Sequence, residues 1–255
     1  MPKTTYYRRK QQARPFARSP KAPVRTAVLE DVRRLCRAHP RLGHRPIHAL
    51  LGRASASSVL RVMRRERLVQ PQRKGRLRPK APPPLVPIQV GLTVGLDFTH
   101  WLGKRVLNVL EYESRYCLAS VVFERETAES AREGLRLALL EAERLGLSGS
   151  GIQVKSDHGS VFTSNVFREF LAERSCGQTL SAVRTPQGMG RVERFNRSVK
   201  EQALIWEDLA SGEELQGALD AYRRYDNEVR PHAALAYRTP LSVIQPDAAE
   251  MVPFS

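Results

Sequence analysis

Acidic residues are scarce in the first third of this 255-residue chain. Residues 1–86 hold 3 Asp and Glu against 23 Lys and Arg, a balance of +20, whereas residues 87–255 hold 23 against 19, a balance of −4. Charge confined in this way points to a basic nucleic-acid-binding part joined to a near-neutral globular part. Cysteine is also scarce. Cys36, Cys117 and Cys176 are odd in number, far apart and without a CxxC pair. That excludes a disulfide framework or zinc ribbon and fits a reducing compartment. No apolar run reaches the roughly 18 residues of a membrane-spanning helix. The start, MPKTTYYRRKQQARPFARSPKAP, has twin arginines with no apolar stretch behind them, so a secretory signal is not expected.

What is present falls into segments. Residues 1–23 are rich in Arg, Lys and Pro, lack periodicity, and are expected to form a disordered basic arm. Residues 24–69 predict a small helical unit. Val28, Val32 and Leu35 share one helix face, Pro40 ends that helix, and Pro46 suits the first turn of a second. Ser55, Ser57 and Ser58 offer N-caps for a third helix that buries Val59, Leu60, Val62, Met63 and Leu68 in part, leaving Arg61, Arg64, Arg65 and Arg67 largely exposed. Short helices, tight turns and an Arg-rich last helix fit a helix-turn-helix laid on DNA. Cys36, His39, His44 and His48 lie close in sequence, but helix packing accounts for them better than zinc, which usually takes paired ligands of both types. Residues 70–87 read as an extended linker, basic in its first half (Arg73 and Lys74 among its cations) and proline-rich in its second.

Beyond residue 88 the order reads βββαβαβα, a mixed α/β layer architecture. IQVGLTVGLDF, RVLNVLEYE and YCLASVVFE are strand candidates joined by hairpin-length turns. A helix capped by Thr127 follows, then the strand GIQVKSD, a helix capped by Thr163 or Ser164, the short strand GQTLSAV and the helix GRVERFNRSVKEQ. A capping box at Ser211 and Glu214 opens another helix, and RPHAALAYRTPLSVI is expected to be irregular and to pack back on the domain.

Three acids stand out. Asp97 and Asp157 each follow an apolar, β-branched run and are expected at or near strand ends, while Glu193 lies on a helix. There are 59 residues between the first two and 35 between the last two. Carboxylates from two strands and a helix can converge, and convergent carboxylates repel one another unless cations neutralise them. Hard divalent cations prefer such oxygen ligands, and two of them about 3.5–4 Å apart stabilise both the attacking and leaving oxygens of a phosphoryl transfer. Singly, Asp97 could cap a strand, Asp157-His158-Gly159 could be a plain turn, and Glu193 could pair with Arg197. Together they favour a metal-dependent enzyme acting on nucleic acid. Arg197 and Lys200 share the Glu193 face at i+4 and i+7, where two cations suit phosphate.

With these residues in view, the chain resembles the DDE transposases of the retroviral-integrase-like superfamily, in particular those of bacterial insertion sequences. LDFTHW at Asp97, SDHGSVFTS at Asp157, GRVERFNRSVKEQ at Glu193 and the tail YDNEVRPHAALAYRTPLSVI carry the resemblance. It implies an RNase H-like catalytic core over residues 88–245, preceded by the helical DNA-binding segment and followed by a tail over residues 246–255. It implies that Asp97, Asp157 and Glu193 hold two Mg²⁺ or Mn²⁺ ions and that Lys200 lies near the DNA end. Arg61, Arg64, Arg65, Arg73, Lys74 and Arg197 are the other expected DNA contacts. The implied activity is phosphodiester hydrolysis at element ends followed by transfer of the 3′-hydroxyl into target DNA. The implied partners are DNA and at least one further copy of the chain, in the cytoplasm with the nucleoid and away from membranes. A silent DNA-binding regulator and a hydrolysis-only nuclease are the competing readings. Where the family often has Asn after its second Asp, this chain has His158.

Overall fold

The computed structural model describes residues 26–69, 91, 93–147, 151–181, 189–204 and 211–246. The expected arm and linker, with Arg73 and Lys74, lie outside the described residues, as do residues 247–255. The chain divides into two compact units, Met1–Gln70 and Pro71–Ser255.

In the first unit α1 (Thr26–Ala38), α2 (His44–Leu51) and α3 (Ala56–Arg65) pack around Val32, Cys36, Leu42, Ile47, Val59, Val62 and Met63. α2 begins two residues before Pro46, which a first turn tolerates because the N–H that proline lacks would have no intrahelical partner there. Gly52 ends α2 in the left-handed region at φ 63°, and the Ser55 hydroxyl caps α3 by accepting from the Ser58 N–H. Arg64 and Arg65 are exposed as expected. Arg61 is not: it is half-buried and donates to Ser58 Oγ at 3.3 Å, because its position on α3 turns its stem toward the core. Cys36 is a buried core residue and a free thiol. His48 Nε2 lies 3.1 Å from the Ala54 carbonyl oxygen, a role in packing rather than ligation.

The second unit is built on one five-stranded sheet. β1 (Thr93–Trp101), β2 (Lys104–Glu111) and β3 (Cys117–Phe123) form an antiparallel meander, and β4 (Gln153–Ser156) and β5 (Gly177–Leu180) add in parallel, giving the order β3-β2-β1-β4-β5. Between β3 and β4 runs α4 (Ala128–Arg144), opened by the Thr127–Ser130 capping box. The single turn α5 (Ser160–Thr163) and α6 (Asn165–Glu173), capped by Ser164, connect β4 to β5. α7 (Gly190–Gln202), α8 (Gly212–Arg224) and the short α9 (Pro240–Ile244) follow.

Side-chain alternation along the strands sorts the core into two layers. Val94, Leu96, Leu107, Val109, Leu118 and Val154 pack on α4 and on Phe162, Phe167, Phe170 and Leu171. Val106, Leu110 and Tyr112 point the other way, against Val192, Phe195 and Val199 of α7 and Leu215, Leu219 and Tyr222 of α8. The outer edge of β3 is closed by side chains. Gln216 accepts from the Val122 N–H (2.9 Å) and donates to the Ser120 carbonyl (2.9 Å), while Asn227 accepts from the Cys117 N–H and donates to the Cys117 carbonyl. Two amide side chains thus stand in for a neighbouring strand and blunt an edge that would otherwise invite pairing.

Three expectations change. β1 does not stop at Asp97 but runs on to Trp101, because its partner β2 pairs with it through Trp101↔Lys104 across a two-residue turn. Leu102 (φ 46°) and Gly103 (φ 78°) give that turn the twist a tight hairpin needs. The helix opened at Ser211, expected to run on through Arg230, does continue past α8, but over Tyr225–Val229 as a wider π turn. The tail is more ordered than expected, with a 3₁₀ turn at Ala233–Leu235 and α9 capped by Thr239 with Pro240 at its start. It packs back around Asp226, which is 0 % exposed and receives Arg230 at 2.6 Å and His232 at 3.3 Å. Arg230 and His232 therefore fix the tail.

Candidate active site

Asp97 lies mid-strand on the sheet face that α7 covers, directly opposite Asn108 of β2. β4 runs parallel to β1 with Gly95 beside Lys155, and carrying that register two residues forward sets Asp157, the first residue past β4, alongside Asp97. Glu193 occupies the first turn of α7. Two adjacent strands and one helix therefore supply the three acids, as their sequence contexts suggest.

The Asp97 carboxylate is held from the helix. Asn196, three residues beyond Glu193, donates from Nδ2 to Asp97 Oδ2 at 2.8 Å. The Asn196 carbonyl oxygen accepts from Asn108 Nδ2 at 2.7 Å, and Asn108 Oδ1 accepts from the Ser120 hydroxyl at 2.6 Å. Asn108, Asn196 and Ser120 are 0 %, 7 % and 3 % exposed. One buried chain of hydrogen bonds thus ties β3, β2, α7 and β1 together. Because a carboxylate only accepts, it aims each amide in turn, its NH₂ toward Asp97. Sequence reasoning missed this relay. Asn108 and Asn196 face inward, but nothing local in the sequence pairs one with the other.

Electrostatically the acids press on one another. Burial, and after it the charges of Asp157, Glu193 and Glu126, push the Asp97 carboxyl up to about 7, against the Asn196 hydrogen bond, which favours the ionised form. Asp157 is exposed, with Oδ1 accepting the Gly159 N–H at 2.8 Å. Glu193 is exposed and makes no ion pair with Arg197 among the described residues, so the bland surface-pair reading does not describe it. Arg197 is exposed and Lys200 half-buried on the same helix. Among the described residues no three His, Cys, Asp or Glu side chains are drawn closely enough together to hold a metal ion between them. The donor set nevertheless suits a hard divalent cation: it offers carboxylate oxygens only, and their mutual repulsion is what a cation would relieve. Trp101 packs beside the α7 layer and His100 lies 3.7 Å from Glu126. Cys117 is fully buried, where desolvation raises its thiol well above the ordinary range, so it offers no nucleophile.

The meander extended by two parallel strands, with helices on both faces, is the RNase H-like arrangement of integrase catalytic cores, and this chain is of that fold class. A chain of the simian T-cell lymphotropic virus intasome, solved in complex with PP2A regulatory subunit B56 gamma, superimposes with a TM-score of 0.53 at 17 % identity, over 88 % of this chain and 78 % of that one. Residues 174–240, which include Glu193, match the family described as Integrase core domain. The chain is 25 % identical over 218 residues to the insertion element IS476 uncharacterized 39.2 kDa protein of Xanthomonas euvesicatoria, covering 83 % of this chain and 63 % of that protein. It is 30 % identical over 98 residues to transposase InsD for insertion element IS2A/D/F/H/I/K of Escherichia coli, covering 37 % of this chain and 31 % of that protein. The resemblance to insertion-sequence transposases of the integrase-like superfamily is borne out by these matches. The chain spans less than two thirds of the length of the curated relatives it matches. Among the described residues no helix is long and apolar enough to cross a membrane.

Proposed function

We propose that the protein is a DDE-type DNA transposase or integrase, a polynucleotidyl transferase that hydrolyses a phosphodiester at the ends of an element and directs the freed 3′-hydroxyl onto a target phosphodiester. The observation that supports this reading is geometric: the register of two adjacent strands sets Asp157 alongside Asp97, and Glu193 lies in the first turn of the helix that covers that face. Asp97, Asp157 and Glu193 are assigned as catalytic residues and as ligands for two Mg²⁺ or Mn²⁺ ions. When bound, such ions supply charge neutralisation and activation of the attacking oxygen. The chain's own part is positioning: Asn196 holds Asp97 in one orientation, the Gly159 N–H steadies Asp157, and the first turn of α7 presents Glu193. No Ser or Tyr nucleophile is required, because transfer to a free 3′-hydroxyl needs no covalent protein–DNA intermediate.

Residues 24–69 are assigned to recognition of element ends, with Arg61, Arg64 and Arg65 on the last helix, and residues 70–87, with Arg73 and Lys74, to a phosphate-tracking linker. Of the three arginines on that helix, Arg61 is half-buried and Arg64 and Arg65 are exposed. Arg197 and Lys200 are placed along the DNA at the catalytic core, residues 88–245. Joining two ends implies a homodimer or larger assembly on DNA, working in the cytoplasm with the nucleoid.

The test is incubation of the full chain with labelled duplexes taken from the flanks of its gene, in Mg²⁺. Joined products support the proposal, nicks without joining make it a nuclease, and binding without cleavage makes it a regulator. Glu193→Gln must abolish joining; a variant that still joins strands sinks the site assignment. Without DNA, Mg²⁺ at about 100 times its dissociation constant should stabilise the wild type by about 2.7 kcal/mol and the variant by much less.

A further inference from the structure

A second group of charges lies on the same sheet face, short of the acids. Tyr112, at the end of β2, lays its ring across Gly95: a Cβ there would fall 2.1 Å from Tyr112 Cε2. Lys155 Nζ is 5.0 Å from the ring centroid and the Arg191 guanidinium carbon 5.2 Å from it. Arg191 is committed, since it donates to the Tyr112 carbonyl and pairs with Glu113 at 3.3 Å. Three other cations in the neighbourhood are not. The side chains of Arg115, half-buried on the turn after β2 with φ 63°, Lys155 on β4 and Arg194 on α7 make no hydrogen bond or ion pair with any described residue, Lys155 having only its contact with the Tyr112 ring. Burial, and after it the charges of Arg191 and Arg194, lower the affinity of Arg115 for its proton, with Glu113 opposing.

Lys155 and Arg191 lie against the ring, and Arg115 and Arg194 feel the charge of Arg191 from the turn and the helix; of the four, only Arg191 is paired with a carboxylate, so the cations repel one another in the free protein. An arrangement of this kind is stabilised by an anion. Its place says which anion. Lys155 and Gly95 lie two residues before Asp157 and Asp97 on the same face, which at about 3.3 Å per strand residue puts the patch roughly two axial nucleotide steps from the acids. The cations also come from a turn, a strand and a helix, which suits an extended polyanion better than a single small one.

We propose that Arg115, Lys155 and Arg194, gathered around Tyr112 and Arg191, bind phosphodiesters of the DNA strand next to the Asp97–Asp157–Glu193 site. The inference rests on the transposase reading for the identity of its ligand. It is tested by fluorescence anisotropy of the full chain with labelled duplexes in EDTA, so that binding is read without chemistry. R115Q, K155Q and R194Q should each weaken binding about 3- to 10-fold at physiological salt. Each should also reduce the slope of log K against log salt by about 0.9 per phosphate lost. The melting temperatures of R115Q and R194Q should not fall, since each removes a repelling charge, and K155Q should lose no more than its contact with the Tyr112 ring. R136Q, which breaks the Arg136–Glu133 pair on α4, is the control and should bind like the wild type. Losses confined to gene-flank duplexes assign the patch to the element end, and equal losses on random duplexes assign it to target DNA. Wild-type affinity and slope in all three variants, or losses that track a fall in melting temperature, overturn the proposal. Weakened binding in a protein that never joins strands leaves the patch standing and removes the transposase reading.

Discussion

Asn108→Ala separates the positioning of the site from its acids. The side chain is 0 % exposed and makes two bonds, to Asn196 Oδ1 at 2.7 Å and from Ser120 at 2.6 Å. Truncation leaves both partners buried without those bonds, and an unsatisfied buried polar group costs about 1–3 kcal/mol. The serine hydroxyl can rotate toward another acceptor and the amide carbonyl cannot, so the expected loss is about 2–4 kcal/mol. At about 2–4 °C per kcal/mol for a unit of this size, the melting temperature falls by roughly 4–16 °C. The functional effect should exceed the loss of folded protein. Once Asn108 is gone, the Asn196 carbonyl loses the bond that fixes it from behind, and the amide that holds Asp97 is free to move with it. Losing a hydrogen-bond partner of a metal-binding carboxylate typically costs about 10- to 100-fold in metal affinity or activity. The assay is urea denaturation paired with the Mg²⁺ dependence of strand cleavage at 20 °C, where the variant is still folded. Asn196→Ala and the double variant complete a cycle whose coupling should lie between about 0.5 and 3 kcal/mol. An Asn108→Ala protein within 0.5 kcal/mol of wild type, or one with unchanged Mg²⁺ dependence, would refute the relay.

Three further outcomes follow from the packing. Asp226→Asn should cost about 3–5 kcal/mol in chemical denaturation, because it strands Arg230 without its buried partner. Its pH dependence has a definite sign: burial alone would raise the Asp226 carboxyl, but His232 and Arg230 together hold it below its ordinary 3.8. The wild-type advantage should be complete above about pH 4 and shrink as the pH falls further, and an advantage that grew with acid would contradict this account. Gly95→Ala should cost about 1–3 kcal/mol, since its Cβ would meet Tyr112 at 2.1 Å and Val192 at 2.9 Å, and a neutral result in thermal melts would show that the ring shifts freely. Gln216→Ala removes the side chain that closes the edge of β3, so light scattering at raised concentration should reveal association absent from the wild type.

How much of this was legible in the sequence depended on whether a signal was local. The caps at Thr127 and Ser211 and the hairpin between β2 and β3 are written in a few adjacent residues, and each reads correctly from them, while the choice between Thr163 and Ser164 is settled for Ser164. The elements that carry the three acids were legible for a different reason: each acid sits in a local context, strand or helix, that limits where it can point. β1 was cut short at Asp97 because the polar run Thr99-His100 looks like a strand end until its partner in β2 is known. The relay was illegible for the same reason. Asn108 and Asn196 are 88 residues apart, and Asn108 alone reads as a blemish in an apolar strand. Only pairing turns the blemish into a specification: a buried amide with one bond to give and one to accept excludes every neighbour but those that match it. The acids therefore announce what chemistry the site is suited to, while the amides between the strands decide whether the site is held in shape, and it is the second property that single-residue patterns cannot carry.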